Sequence, residues 1–219
     1  MKRNCCLLLV CLAFFGLNAG ALAARQGEDA GAKPFGPQAV WTMHQDALTA
    51  CQKKNPTSTT CLAQIMKQTG ASRQALAINR LLDGEGYMSA FRPMGRVDLA
   101  TVEFPMRANT NQAAILVGGA PSLVSSELTD TTIDISADPA YPTLKRRFPD
   151  LELWPNSAVF RAMRRLPNGG QGFEFAYPLR NGCHACDLAG YALVSLDFGP
   201  DGVYHGLRLI RLEQGGAAQ

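Results

Sequence analysis

Two hydrophobic periods divide this chain. From Pro37 to about Gly84, apolar residues recur at the spacing of a helix; from Gly86 onward they alternate with polar ones. Val40, Met43, Ala47, Leu48 and Cys51 line one face of a first helix, which opens at Pro37 and runs to about Lys54. His44 lies next to that face and reads as a partly buried, hydrogen-bonded residue, not a ligand. Asn55-Pro56 breaks the helix, because proline brings no amide hydrogen. Thr57 to Thr60 supply caps for a second helix, whose face is Cys61, Leu62, Ile65 and Met66 and whose end is Gly70. Ser72 opens a third, through Leu76, Leu81 and Leu82, which stops near Gly84.

The alternating part predicts strands over 87–92, 96–104 and 113–117, with a turn at Gly118-Gly119 and a polar loop over 125–132. A short helix is expected over 139–148, its basic run Lys145-Arg146-Arg147 being a solvated helix end. The last third is a meander. Strands are expected over 158–166, 172–179, 190–198 and 203–212, with turns at Pro167-Asn168-Gly169-Gly170 and Gly199-Pro200-Asp201-Gly202. Phe173, Phe175 and Tyr177 share one face. The fold class is therefore α+β: N-terminal helices packed on an antiparallel sheet, of a cystatin-like or NTF2-like kind, in one domain over 37–214 with a tail at 215–219.

Cys183-His184-Ala185-Cys186 falls between two of these strands, at the rim of the sheet. Four readings of it stand side by side. It is a structural disulfide that pins a turn. Or it is a thiol–disulfide exchange pair, although such pairs of the thioredoxin type sit at a helix N-terminus that lowers the thiol pKa, and here a strand follows. Or it is half of a zinc site with His184, His205 or Asp187, although a second close pair of ligands is missing. Or it is a recognition loop, stiffened by its disulfide so that less entropy is lost on binding. A c-type haem is disfavoured, because Asp187 stands where the histidine should follow the second cysteine. Upstream, Phe104-Pro105-Met106-Arg107-Ala108-Asn109 echoes Tyr177-Pro178-Leu179-Arg180-Asn181-Gly182. The echo suggests one surface made of Arg107, Asn109, Arg180, Cys183, His184 and Cys186.

The N-terminus changes the bookkeeping. Met1-Lys2-Arg3-Asn4 is a basic start, 5–17 an apolar run, and Ala21-Leu22-Ala23 a small-residue cleavage site, the pattern of a secretory signal over 1–23. The apolar run is short for a membrane span, so none is expected after cleavage. Residues 24–36 read as a flexible lead-in. Cleavage after Ala23 implies a periplasmic or secreted protein. Of 21 Lys and Arg, Lys2 and Arg3 leave, so 19 bases face 18 acids, a net of +1, with no electrostatic case for nucleic acid. Cys5, Cys6 and Cys11 leave too. The four remaining cysteines, in an exported chain, predict disulfides. Three pairings are possible; proximity favours Cys51–Cys61 with Cys183–Cys186.

The segments GRVDLATVEFPMRANTNQAAILVGGAP and YPLRNGCHACDLAGYALVSLDFGPDGVYHG resemble a family of signal-bearing proteins of Gram-negative bacteria that brings no established activity. The loop itself is similar to that of the periplasmic inhibitors of vertebrate lysozyme. Those insert a disulfide-closed, histidine-bearing loop into the lysozyme cleft, and the matching positions are Cys183, His184 and Cys186. The loop here is tighter, and the helical N-terminal part has no counterpart there. No G-x-S-x-G, H-E-x-x-H or phosphate-binding glycine pattern occurs. Ser195, Asp197 and His205 lie on neighbouring strands, a trio easily met by chance. No cofactor and no metal site is assigned. The residues favour a non-enzymatic binding protein with a protein or cell-envelope partner over the alternative, a periplasmic thiol–disulfide oxidoreductase.

Overall fold

The structure, a computed structural model, describes residues 34–54, 60–128 and 133–215. The expected leader and its cleavage site, most of the lead-in, the Asn55-Pro56 break, the caps Thr57 to Thr59, the end of the polar stretch at 129–132 and nearly all of the tail lie outside the described residues. Within them the α+β class holds.

Three α-helices come first: α1 (Gln45–Lys54), α2 (Cys61–Gln68) and α3 (Arg73–Leu81). The helix expected from Pro37 to Lys54 is shorter than its pattern. Pro37–Ala39 form one 3-10 turn, residues 40–44 carry no regular element, and only then does α1 begin. The cause is a competing partner. The Trp41 amide donates to the Met88 carbonyl at 3.0 Å, and its indole Nε1 donates to Thr69 Oγ1 at 3.1 Å. The ring stands edge-on to Tyr87, centroids 5.0 Å apart. A continuous helix would spend that amide on its own ladder. His44 is exposed, not partly buried as its sequence neighbours implied. The start of α3 is as read: Ser72 Oγ accepts the Ala75 amide at 3.0 Å.

A first antiparallel sheet is a simple meander of β1 (Tyr87–Arg92), β2 (Asp98–Glu103), β3 (Gln112–Val117) and β4 (Leu123–Ser125). Its pleat buries both faces. Ala100, Val102, Ala113, Ile115 and Val117 meet Ile78 of α3 and the N-terminal segment. Leu116, Leu99, Ala114 and Val124 face the other way. Trp41, Leu48, Cys61, Leu62, Ile65, Met66 and Tyr87 form a further cluster where α1 and α2 pack.

The short helix α4 (Tyr141–Arg147) leads to the second antiparallel sheet: β5 (Leu151–Leu153), β6 (Val159–Arg165), β7 (Gln171–Asn181), β8 (Leu188–Phe198) and β9 (Tyr204–Gln214). Phe173, Phe175, Tyr177 and Leu179 of β7, with Ala192, Val194, Leu196 and Phe198 of β8, pack against the back of the first sheet in the largest cluster. The order of layers is helices, first sheet, second sheet. On the other face of β7 and β8, Arg164 lies against Glu174 and Arg208 against Asp197.

The two sheets are joined at one end. Gln171, the first residue of β7, accepts the Val97 amide at 2.7 Å through Oε1, and its Nε2 donates to the carbonyls of Met94 and Val97, each at 3.1 Å. Ala120 and Val203 form a parallel bridge beside it. Among the described residues no helix is long and apolar enough to cross a membrane.

Candidate binding loop

One residue of β7 shapes the neighbourhood of the loop. Pro178 has no amide hydrogen, so a central strand has to be interrupted opposite it. The Pro178 carbonyl accepts the Trp154 amide at 2.8 Å, so this edge of Pro178 faces the preceding chain. There the partner strand leaves the ladder. Leu153 of β5 pairs with Leu179 and Val159 of β6 with Ala176, and 154–158 bow outward between them. Trp154 starts that excursion. Its ring lies 5.4 Å from the imidazole of His184, tilted by 50°.

The loop, residues 182–187, joins β7 to β8. Gly182 has φ +88°, which a side chain rarely adopts, and a Cβ there would come within 3.2 Å of Asp150 Cβ. The Cys186 amide donates to the Cys183 carbonyl at 3.1 Å, and the Asn181 amide to the Asp187 carbonyl at 3.2 Å. The Cys183–Cys186 disulfide closes this turn with Cα atoms 5.0 Å apart. Arg180 Nη1 donates to the Cys186 carbonyl at 2.8 Å. Asn181 Oδ1 accepts the Asp150 amide at 2.9 Å and ties the hairpin to the turn before β5. Cys183, His184 and Ala185 are exposed on this braced base.

The expected site residues therefore divide into two groups. Cys183, His184 and Cys186 form the loop, and Arg180 supports it from beneath. The Arg180 Nε is buried with no hydrogen-bond partner among the described residues, so its guanidinium is not fully satisfied by the turn it holds. Arg107 and Asn109 lie in the β2–β3 turn of the other sheet. Arg107 Nη1 lies 2.9 and 3.0 Å from the two Glu127 carboxylate oxygens, and its guanidinium carbon is 3.4 Å from the centre of the Phe104 ring. Asn109 is exposed, and its carbonyl accepts the Thr110 hydroxyl at 2.7 Å. The segment Ser126 to Leu128 runs between the groups. Ser126 receives the Tyr177 hydroxyl at 2.7 Å, Glu127 holds Arg107, and the Leu128 amide donates to Pro155, next to Trp154.

Cys51 and Cys61 form the second disulfide, between α1 and α2, with Cα atoms 5.8 Å apart. Ser195 is buried and donates to Asp197, whose carboxylate also receives Arg208 at 2.9 Å. That hydroxyl serves a surface ion pair. His205 lies instead beside Gly199. Among the described residues no three His, Cys, Asp or Glu side chains gather as a metal site would need. Trp154 was not legible as a site residue, although Pro178 carried the signal: a proline inside a long strand pattern marks a break in the neighbouring ladder.

Comparison with protein-family models, with curated proteins and with solved structures gives no match. What fold and loop define is a layered α+β domain that presents a disulfide-closed hairpin tip.

Proposed function

We propose that the protein is an exported, non-enzymatic binding protein that presents the Cys183–Cys186 loop to a protein partner of the cell envelope, an enzyme that cleaves peptidoglycan. The observation that supports this reading most is the pairing of exposed His184 with Trp154 on a braced turn. A turn braced by a disulfide and by two side-chain hydrogen bonds, from Arg180 and to Asn181, loses little freedom on binding, and it sets the imidazole beside the Trp154 ring. Trp is also a residue type enriched among binding hot spots. The similarity of the loop to that of lysozyme inhibitors supports the choice of partner, and the leader-like sequence of residues 1–23 supports the compartment.

The test is a turbidity assay in which vertebrate lysozyme, or a periplasmic peptidoglycan hydrolase, clears a cell-wall suspension. The wild-type protein is expected to slow clearing, and His184→Ala and Trp154→Ala are each expected to weaken that effect roughly tenfold or more. If no such enzyme is bound or slowed, or if both variants act as wild type does, the reading falls.

A second reading, a periplasmic thiol–disulfide oxidoreductase, is supported by the exposure of Cys183. Against it, the chain after Cys186 enters β8, so no helix N-terminus stands there to stabilise a thiolate. Reduction of insulin that disappears in Cys183→Ser would favour this second reading over the first.

A further inference from the structure

A cavity of about 730 Å3 opens where the end of the first sheet meets the start of α1 and the excursion before β6. Its volume lies within the roughly 300–1,000 Å3 of small-molecule sites. It is separate from the loop, though the same excursion serves both: Trp154 faces His184 and Ser157 lines the cavity.

The wall is a row of three directly paired positions across three strands: Tyr87 on β1, Glu103 on β2 and Gln112 on β3. The Tyr87 hydroxyl donates to Glu103 Oε2 at 2.6 Å, and Gln112 Nε2 reaches Oε1 at a long 3.5 Å. Burial first, then the bond to Glu103, pushes the Tyr87 phenol well above its ordinary range, so it remains a donor that orients the carboxylate. Each carboxylate oxygen has acceptor capacity to spare. The rest of the lining is polar and uncharged, with Gln45, Thr110, Asn111 and Ser157, apart from the apolar Met43 and Pro105; among the described residues no Lys or Arg lines it.

The backbone at the rim is an independent sign. Among the described residues three that are not glycine have φ in the left-handed region, and two of them, Thr110 at +51° and Ser157 at +66°, line this cavity. Such residues gather at ligand sites, where the strain holds a side chain in place.

We propose that this cavity is a binding site for a small hydroxyl-bearing amine, of which an amino sugar is the type. Among the described residues the carboxylate has no cationic partner in this part-buried groove, which calls for an ammonium group. The surrounding hydroxyls and amides offer both donors and acceptors, which suits a ring of hydroxyls. Met43 and Pro105 add apolar lining.

Saturation-transfer NMR and calorimetry on the full mature chain test this with glucosamine, glucose and propylamine. Glucosamine is expected to bind at least about tenfold more tightly than glucose, which lacks the charge, and than propylamine, which lacks the hydroxyls. Glu103→Gln keeps the shape and an oxygen for Tyr87 to donate to, and is expected to remove that preference. Asn111→Arg puts a cation into the wall from an exposed position and is expected to weaken glucosamine at least as much. Far-UV dichroism and the urea midpoint confirm that each variant is folded. No binding of glucosamine, equal binding of glucose or of propylamine, or glucosamine binding unchanged in a folded variant overturns the proposal.

Discussion

Tyr177 is wholly buried, and its hydroxyl donates to the Ser126 carbonyl. Tyr177→Phe keeps the ring but leaves that buried carbonyl unpaired, a loss of about 1–3 kcal/mol. The same phenol carries a pH dependence. Burial pushes Tyr177 above the ordinary value, and Tyr87 and Tyr204 are raised as well, by burial first and then by Glu103 and Asp197 respectively. For each, the folded value lies above the unfolded one, near 10. Their contribution to stability is therefore complete below about pH 10 and is lost as pH rises through the folded values. Urea midpoints taken from pH 8 to 11 are expected to be level at first and to fall above about pH 10, and Tyr177→Phe is expected to start lower and fall less steeply. A steeper alkaline fall in the variant would contradict this account. Alternation showed that Tyr177 faces inward; it held no information about Ser126, 51 positions away.

At the scale of elements, the two disulfides do different work. Cys51 and Cys61 are separated by 10 residues and join two helices, with Cys61 fully buried. Cys183 and Cys186 are separated by 3 and close only their own turn. In the chain-entropy account the longer loop is worth about 3 kcal/mol and the shorter about 2 kcal/mol. Guanidinium unfolding of Cys51→Ser/Cys61→Ser and of Cys183→Ser/Cys186→Ser is expected to show the larger loss for the first pair, and equal losses would refute that ranking. Both pairings were legible from proximity, because each closes a hairpin whose arms the periodicity already located. The break between β5 and β6 was not read, and neither was β4. Each of β4 and β5 is three residues long, too short to show a period of two.

At the scale of the molecule, Gln171 holds the sheets together. Its amide satisfies three backbone groups of the Met94–Val97 segment, which comes more than 70 residues earlier in the chain. Gln171→Ala leaves them unpaired at a buried junction and is expected to cost about 2–4 kcal/mol. Gln171→Glu keeps the length but has no hydrogens for the two carbonyls, so it is expected to fall short of wild type too. A chemical denaturation midpoint unchanged in Gln171→Ala would mean that the packing of Phe173 and Phe198 alone sets the junction.

The sequence by itself determined what depends on neighbours along the chain. The two periods located the helices α2 and α3 and the long strands, the cysteine spacing favoured two short closures over the other pairings, and the strand pattern on either side put the Cys183–Cys186 segment at a hairpin tip. Only the tertiary structure decided what depends on distant partners. Trp41 gives its amide to Met88, and the first helix is shortened. Pro178 interrupts its neighbour, and Trp154 reaches His184. Tyr87, Glu103 and Gln112 meet because three strands pair in one register. Periodicity reports which side of an element is apolar; it does not report which other element will cover that side, because the covering contact is set by packing across the whole chain.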